Sequence, residues 1–507
     1  MDVERFAMLV GERLRRPRRN ERRSRGERLA DALASLVRSG DLLAETRLPS
    51  ERALGAALGM SRGTVASALD QLAADGLVER RHGSGTYVRP VAAVDPPPPP
   101  GSGPDGAPDT GTGPGADPHT GSASRRDPSA DTPEPIFSRW IREGTVVVDL
   151  AKSVVPDASL LPRLDLTVED LLDVHPADGY GLLGETRLRE LLAEHPAPPG
   201  YGPDRVLVVA GAQQALHLTA DTLLAPGDRV LVEQVTYPGL LAAVERFGGV
   251  PVIVPGDRYG WSPDAFAEAV ERHRPAFAFT MPVHNPTGAV AADRRVRALA
   301  SVAREADTLL VEDRSLADLV LTDGPPPPVP SAAAYAPDHT VCLGSLSKTM
   351  WGGLRVGWIA AHEPVFARFV QAKRRTDLAT SALDQRLAVA LLADPGAAGR
   401  RDAWRRDLRV RRDHLADLLA GQLPEWSWSL PAGGMSLWVR LPGADGEAFA
   451  DTARRHGVAV SPGAVFGPPG GTAAADRIRL SFGWPEPVLA EGVEMLATAW
   501  AEHRSRR

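Results

Sequence analysis

The chain has 507 residues, 43% of them hydrophobic, which suffices for about three or four compact units with apolar cores. Its single cysteine, Cys342, excludes an intrachain disulfide and any metal site built from several cysteines, so a reducing compartment fits. We find no apolar run long enough to span a membrane and no secretory pattern at the N-terminus, and therefore expect a soluble, cytoplasmic protein.

The net charge of −6 is distributed unevenly along the chain. Residues 1–89 contain 17 arginines and no lysine against 12 acidic residues, a net charge of +5 that leaves −11 for the remainder. A basic first segment ahead of an acidic body indicates a polyanion-binding unit. Charge alone, however, fits a solvated charged surface equally well.

The first part of the chain predicts a basic arm followed by three helices. Residues 1–26 form the arm, which is dense in arginine. From Glu27 onward, apolar residues at helical spacing predict an amphipathic helix that ends near Gly40. A second helix is predicted after Ser50 and a third after Ser61, each with a serine as N-cap and a glycine at its end. Two helices joined by a short glycine-containing turn predict a helix-turn-helix.

Two short strands follow the third helix and predict a hairpin wing. The strand candidates are Leu77–Arg80 and Thr86–Val88, joined by a glycine-rich turn. Residues 27–89, which include LPSERALGAALGMSRGTVASALDQLAADGLVERRHGSGTYV, closely resemble the winged helix-turn-helix of the GntR family of bacterial repressors. The resemblance implies an α+β domain that binds a double-stranded DNA operator.

Five residues of this segment match positions that act in DNA binding in the GntR family. The resemblance implies phosphate or guanine contacts by Arg52 and Arg62. It also implies that Ser61 and Thr64 begin the recognition helix and that Gly85 lets the wing approach the DNA backbone. Taken singly, such arginines could simply face solvent, but the helices, the turn and the wing occurring together favour DNA binding.

Residues 90–135 are predicted to be a disordered linker. From Asp95 to Pro135 the chain contains no Val, Ile, Leu, Met, Phe, Trp or Tyr. Such a segment cannot bury enough apolar surface to offset the entropy lost on ordering. As a flexible coil it would span about 35 Å, which allows each DNA-binding head to lie far from its own body.

Residues 136–507 alternate short apolar runs with helical stretches, the pattern of an α/β domain with a largely parallel sheet. The strand candidates are Val206–Val209, Arg229–Val232, Val250–Val254, Ala276–Thr280, Thr308–Val311, Thr340–Leu343 and Leu354–Ile359. Polar residues follow several of these strands. Because open α/β sheets bind ligands beyond the carboxyl ends of their strands, we expect these side chains to converge on one crevice.

Lys348 is conspicuous because this arginine-rich chain contains only three lysines. It lies among serines and glycines, and Arg355 follows it. An amine that forms a Schiff base needs such surroundings, since a cationic neighbour lowers its pKa and small residues let a flat ring approach. A surface lysine in a polar loop would explain this short motif equally well by itself. The polar residues that follow the upstream strands favour the interpretation of Lys348 as a Schiff-base amine.

The polar groups together match the needs of pyridoxal 5'-phosphate. A carboxylate pairs with the protonated ring nitrogen, an amine joins the aldehyde, and an arginine and a helix start bind the phosphate. Each residue alone has an ordinary explanation, such as turn chemistry for Asn285 and Asp313 or a core position for Tyr237. Their joint occurrence, in this order, favours a cofactor site.

Roughly residues 145–500 resemble the fold-type I aminotransferases, an α/β fold of pyridoxal-phosphate-dependent transferases with a large domain and a smaller C-terminal domain, here from about residue 362. The resemblance implies that Lys348 is the Schiff-base lysine. It implies that Asp313 pairs with the ring nitrogen and that Asn285 donates to the ring hydroxyl.

The same resemblance implies further contacts around the cofactor. Those to the phosphate are assigned to Ala212, Gln213, Ser345, Arg355 and, from the partner subunit, Tyr180. The stacking ring is assigned to Tyr237. Arg479, in the stretch RIRLSFG, matches the arginine that binds an amino-acid carboxylate.

Two departures from the aminotransferase pattern bear on activity. Ser315 stands where these proteins usually have a tyrosine that bonds the ring hydroxyl. The imine is therefore expected to be less well tuned for transamination. Residues 151–162 lack the glycine of the expected substrate loop, which puts the substrate contacts of that segment in doubt.

A GntR-type head, a long linker and an aminotransferase-like body together resemble the MocR family over nearly the whole chain. The resemblance implies a homodimer whose two heads read two half-sites. Three hypotheses follow: a regulator that senses pyridoxal phosphate or an amino compound bound with it, an active aminotransferase with a DNA-binding head, and a cofactor-free regulator with a decayed site. The sequence predicts no sustained turnover, with partial transamination still open, and no metal site.

Overall fold

A computed structural model gives the fold. It describes residues 10, 24–38, 48–81, 85–89, 146–155, 161–173, 176–195, 200–257, 260–468, 471 and 474–506. The predicted linker and most of the predicted basic arm lie outside these described residues. The chain forms two compact units, one with the elements up to Val88 and the other with those from Val148 onward.

The first unit has the predicted order of three helices and a hairpin. Its elements are α1 (Arg25–Arg38), α2 (Glu51–Leu58), α3 (Arg62–Ala74), β1 (Val78–Arg81) and β2 (Gly85–Val88). The two strands pair antiparallel, and buried leucines of the three helices form one core with Val78 and Val88. Ser50 and Ser61 are N-caps, each accepting a hydrogen bond from the backbone N–H three residues on. The predicted α+β winged helix-turn-helix is confirmed.

The second unit is an α/β fold with two main sheets. The strands are β3 (Val148–Asp149), β4 (Val206–Val209), β5 (Arg229–Glu233), β6 (Val250–Val254), β7 (Gly256–Asp257), β8 (Gly260–Trp261), β9 (Phe277–Thr280), β10 (Leu310–Asp313), β11 (Thr340–Ser345), β12 (Gly357–Ala360), β13 (Ser427–Trp428), β14 (Ser436–Arg440), β15 (Val458–Ala459), β16 (Ser461–Pro462) and β17 (Arg477–Ser481). The helices are α4 (Val168–Leu172), α5 (Thr186–Glu194), α6 (Ala212–Leu223), α7 (Pro238–Arg246), α8 (Pro263–His273), α9 (Asp293–Glu305), α10 (Val365–Thr376), α11 (Ala382–Ala393), α12 (Ala397–Gln422), α13 (Gly446–Arg455) and α14 (Glu486–Ser505). No helix among the described residues is long and apolar enough to cross a membrane.

The large sheet has seven strands in the order β4, β12, β11, β10, β9, β5, β6. Its strands are parallel except β12, which runs antiparallel to both neighbours. Strands buried on both faces, such as Val206–Val209, are continuous apolar runs because helices cover both sides. All seven predicted strands are present, so the predicted largely parallel sheet is confirmed.

A smaller antiparallel sheet, in the order β13, β14, β17, β16, forms the second layer of the unit. The long helix α12 and the C-terminal helix α14 pack on it in one apolar core that includes Leu408, Leu437 and Leu496. The strand β3 pairs with β15, so the first strand of this unit joins its C-terminal part.

Helices α10 and α11 pack on the large sheet rather than on the small one. Phe366 and Phe369 share a core with Val209 and Val341, and Leu391 lies in the cluster around Val206. In the C-terminal part of the chain, α12 is the first helix that packs with the smaller sheet. The domain boundary near 362 stays a prediction.

One glycine of β11 tests how tightly the large sheet is packed beside the candidate site. A Cβ built on Gly344 would lie 2.2 Å from the ring of Trp358 in the neighbouring strand. Gly344→Ala should therefore lower the free energy of unfolding by about 1–3 kcal/mol, measured by denaturant titration of the full chain. Gly324→Ala is the matched control, because no atom lies within 4 Å of a Cβ there. Equal stability of the two variants would contradict the packing described.

Candidate cofactor site

A cavity of about 240 Å³ lies at the carboxyl ends of the large-sheet strands. Nine predicted site residues line it, namely Ala212, Gln213, Tyr237, Asn285, Asp313, Ser345, Lys348, Arg355 and Arg479. The small sheet contributes Ser436 and Arg479, and residues 151–154 complete the wall. The sheet topology brings the strand-end residues together, in agreement with the position of ligand sites in open α/β folds.

Lys348 follows β11 in a single 3₁₀ turn whose N-cap is Ser345. Its Nζ donates a hydrogen bond of 2.6 Å to the carbonyl of Ser153. Burial lowers the pKa of this amine to about 8, with the positive charges of Arg479 and Arg355 acting in the same direction and Asp313 opposing them. A larger fraction of the amine is thus neutral near neutral pH than in an ordinary lysine, as a nucleophilic lysine requires.

Asp313 ends β10 and is buried in the wall of the cavity. Burial raises the pKa of its carboxyl, while hydrogen bonds from Ser315 and the charge of Lys348 oppose this rise. The backbone N–H of Ser315 donates to Oδ1 at 2.8 Å. A cationic ring nitrogen beside this carboxyl would favour its carboxylate form.

Arg479 lies on β17 with 4% of its surface exposed. Its Nη1 donates to Oδ1 of Asn285 at 3.0 Å, and its Nη2 donates to the carbonyl of Ala151 and to Oγ of Ser461. Burial lowers its pKa to about 10, opposed by Tyr237 and Asp149, so the side chain stays charged at neutral pH. A buried cation held by neutral acceptors is suited to bind a carboxylate.

The turn from β4 into α6 forms part of the cavity wall. Gly211 adopts a left-handed φ of 87°, and the first N–H groups of α6, those of Ala212 and Gln213, lie beyond the reach of intrahelical acceptors. Arg355 donates from Nη2 to the carbonyl of Ala210 at 2.8 Å. A Cβ on Gly211 would lie 2.9 Å from that same nitrogen, the movable end of a long side chain, so it is the left-handed φ that favours glycine here.

Three hydroxyl groups also line the cavity, those of Ser345, Ser347 and Tyr237. Ser345 Oγ donates to Ser347 Oγ at 2.9 Å, and both residues line the cavity. Tyr237 donates from its hydroxyl to Oε1 of Gln213 at 3.2 Å. Burial, with a smaller contribution from Asp313, raises the pKa of Tyr237 to about 12, so the phenol stays protonated.

The donor set fits pyridoxal 5'-phosphate. A buried amine, a buried carboxylate and an aromatic ring line one cavity with a helix N-terminus, an arginine and two serine hydroxyls. Phosphate requires such a set of N–H and O–H donors around one position, and the ring nitrogen requires the carboxylate. Tyr180 does not line the cavity and is 65% exposed, so its predicted phosphate contact is absent from a single chain.

Sequence reasoning missed several residues of the wall. Ser153, Ser347, Met435 and Ser436 line the cavity, and Ser153 holds the amine of Lys348. Ser347 belongs to the serine-rich motif around Lys348 but was assigned no role. No motif singled out the other three; only the departure of residues 151–162 from the expected loop drew attention to that segment. Ser315, which replaces the usual tyrosine, does line the cavity.

The five predicted DNA-binding residues lie together in the first unit. Arg52 and Arg62 are exposed on α2 and α3, and Nε of Arg62 donates to Glu51 at 3.2 Å. Ser61 caps α3, and its Oγ lies 2.7 Å from Oγ1 of Thr64. Gly85 begins β2. The start of α3 is thus exposed, as a recognition helix requires.

The lowered pKa of Lys348 gives a pH-dependent prediction. In the cofactor-free protein, the rate of modification of Lys348 by an amine-reactive reagent should reach half its maximum near pH 8, because burial and the two arginines favour the neutral amine. Arg479→Met should move this midpoint to higher pH, and Asp313→Asn should move it to lower pH. Peptide mass spectrometry measures the rates, with Lys152 as the internal reference. A midpoint above pH 10 in the chain without substitutions would contradict the lowered pKa of Lys348.

Comparison with known proteins relates this geometry to two families. Residues 150–496 match the family of aminotransferase class I and II, and residues 25–88 match the bacterial regulatory proteins of the gntR family. The HTH-type pyridoxine biosynthesis transcriptional regulator PdxR of Corynebacterium glutamicum is 28% identical over 90% of this chain and 91% of its own length. The 2-aminoadipate transaminase of Thermus thermophilus is 32% identical over 65% of this chain and 82% of its own.

A solved structure extends the comparison to the cofactor. LysN, an alpha-aminoadipate aminotransferase from Thermus thermophilus complexed with N-(5'-phosphopyridoxyl)-L-leucine, has a TM-score of 0.65 and 28% identity. The match covers 73% of this chain and 96% of that one. The chain therefore belongs to the aminotransferase class I and II family, and the GntR-type helix-turn-helix ahead of that fold gives it the architecture of the MocR-type regulators.

Proposed function

We propose that this protein is a pyridoxal-phosphate-dependent, DNA-binding transcriptional regulator that senses either pyridoxal phosphate itself or an amino compound bound with it. The observation that carries the proposal is the buried amine of Lys348, in one cavity with Asp313 and Arg479, in a chain that also carries a winged helix. The sensing site and the DNA-reading site then occupy separate units of one chain.

Different residues of the cavity are proposed to bind different groups of the cofactor. Bound pyridoxal phosphate supplies an aldehyde that combines with amines and a ring that withdraws electrons. Lys348 provides the amine for that aldehyde, and Asp313 neutralises the ring nitrogen. Because the amide oxygen of Asn285 accepts from Arg479, its NH₂ group would be the one to donate to the ring hydroxyl.

The phosphate is assigned to the turn before α6. Ala212, Gln213, Ser345 and Arg355 offer backbone, hydroxyl and guanidinium donors there. Tyr237 provides the flat side chain that stacks on the ring and keeps its hydroxyl on Gln213.

The amino compound is proposed to bind through its carboxylate at Arg479. This guanidinium now donates to the neutral oxygens of Asn285, Ala151 and Ser461, and a carboxylate is a stronger acceptor than any of them. Val154, Leu316 and Met435 give the cavity an apolar part, which suits an uncharged side chain.

The alternative is an active aminotransferase with a DNA-binding head. Arg479 favours it, because a regulator that senses only the cofactor has no need of a carboxylate site. Ser315 speaks against it, since a serine is too short to supply the tyrosine hydroxyl that tunes the imine. Sustained conversion of an amino donor with a 2-oxo acid would favour the enzyme, and at most stoichiometric conversion favours the regulator.

Assembly is proposed to follow the same family. We place the DNA-binding domain at residues 27–89, the linker at 90–135 and the cofactor-binding body at 136–507. In a homodimer, the exposed Tyr180 would complete the phosphate site of the partner subunit, and two heads would read the two half-sites of an operator. Because the ligand of this regulator is chromosomal DNA, the proposed location is the cytoplasm.

Two substitutions should separate DNA binding from cofactor binding. Arg62→Ala should weaken binding to the operator and reduce the slope of log affinity against log salt by about 1, because a phosphate or base contact is lost. It should leave the visible absorption of the bound cofactor unchanged.

Lys348→Ala is the matched control for Arg62→Ala. It should abolish the cofactor absorption and any effect of the cofactor on operator affinity, while the cofactor-free protein still binds DNA. Fluorescence anisotropy of a labelled operator measures both variants. Loss of both operator binding and cofactor binding in either variant, with the fold intact by circular dichroism, would contradict the proposal of two separable sites.

A further inference from the structure

We infer that the ion pair of the buried Lys373 with the partly exposed Asp377 positions the phosphate-binding turn through the side chain of Gln214. Asp377 and Lys373 are thus positioning residues for the cofactor site, although neither lines the cavity. The inference rests on the proposed function, because it assigns the phosphate to the turn at Ala212 and Gln213.

The pair is built inside the large domain, at the end of α10. Lys373 has none of its surface exposed, and its Nζ donates to Oδ1 and Oδ2 of Asp377 at 2.8 and 2.9 Å. A third hydrogen bond of 3.0 Å goes to Oγ1 of Thr380. Burial lowers the pKa of Lys373, and Asp377 opposes the shift. A buried ammonium needs these acceptors, so the position of Asp377 is fixed by that of Lys373.

Gln214 carries the contact from this pair to the turn. Its Nε2 donates to Oδ2 of Asp377 at 2.6 Å, and its Oε1 accepts from the backbone N–H of Ala210 at 2.6 Å. A carboxylate only accepts hydrogen bonds, so it determines which end of the amide faces it. The amide oxygen of Gln214 must then face the turn.

Ala210, whose N–H Gln214 holds, is also bonded by Arg355. The carbonyl of Ala210 accepts from Nη2 of Arg355 at 2.8 Å, so the residue is bonded at both its N–H and its C=O. Gly211 and Ala212 follow directly and begin the helix. The orientation of the first N–H groups of α6 and the position of the arginine both depend on Ala210.

The loop after Asp377 also contacts β4, the strand that leads into the turn at Ala210. Thr380 donates from Oγ1 to the carbonyl of Val208 in β4 at 3.2 Å, while its oxygen also accepts from Lys373. Leu378 takes a left-handed φ of 61°, which a leucine adopts only where its surroundings enforce it. The pair therefore holds both the end of β4 and the turn that follows.

The test compares pyridoxal 5'-phosphate with pyridoxal, which lacks the phosphate. Both are titrated into the full-length protein. The dissociation constant of pyridoxal divided by that of pyridoxal 5'-phosphate measures the contribution of the phosphate site. In Asp377→Asn this ratio should fall by about tenfold, because the amide of Gln214 is no longer held in one orientation. Affinity for pyridoxal should stay within about twofold of the unmodified chain.

Gln214→Met keeps the ion pair and removes only the bridge, so it remains informative if Asp377→Asn fails to fold. It should reduce the ratio to the same extent. Glu425→Gln is the matched control: it neutralises a carboxylate that accepts from Trp500 and Arg504 in the smaller domain, and it should leave the ratio unchanged.

The outcomes separate this inference from the proposed function. An unchanged ratio in folded Gln214→Met and Asp377→Asn would overturn the positioning role, as would equal losses for both ligands. If the unmodified chain itself binds the two ligands equally well, the proposed phosphate site fails, and the inference fails with it.

Discussion

The structure of the second unit depends on keeping one amine buried among cations. Lys348 shares its cavity with Arg479 and Arg355, and these charges and burial all act against protonation of its Nζ. Only Asp313 opposes them. Such a site is costly for a cofactor-free protein, because a buried ammonium beside two guanidinium groups lacks full compensation. A ligand that carries phosphate and consumes the amine would remove that cost.

The arrangement of the two sheets follows from this constraint. The amine and the carboxylate come from adjacent strands of the large sheet, where β10 and β11 pair in parallel and end at the same edge. Arg479 comes from the small sheet, so the carboxylate site is assembled only when both layers pack together. A ligand that bridges Lys348 and Arg479 therefore contacts both sheets. An allosteric response would require that these contacts differ between two arrangements of the protein.

Much of this arrangement could be predicted from the sequence, because its signals are local or topological. Apolar runs predicted the seven strands. The rule that ligands bind beyond the carboxyl ends of parallel strands predicted that Tyr237, Asn285 and Asp313 lie at one edge of the sheet. Serine N-caps predicted the starts of α2 and α3 in the first unit. The bond between Arg479 and Asn285, the packing of α10 on the large sheet and the path from Lys373 to Ala210 could not be predicted. They join residues far apart in the chain, and no local periodicity records such contacts.

The central claim, that Lys348 is the amine that holds pyridoxal phosphate, can be tested on the protein directly. The chain has only three lysines, at 152, 348 and 373, so the result is unambiguous. The protein is incubated with pyridoxal phosphate and reduced with borohydride, which fixes the cofactor to the amine it has joined, and its peptides are then analysed by mass spectrometry. We predict the phosphopyridoxyl group on Lys348 alone. A label on Lys152 or Lys373 at equal yield, or no label at saturating cofactor, would contradict the account.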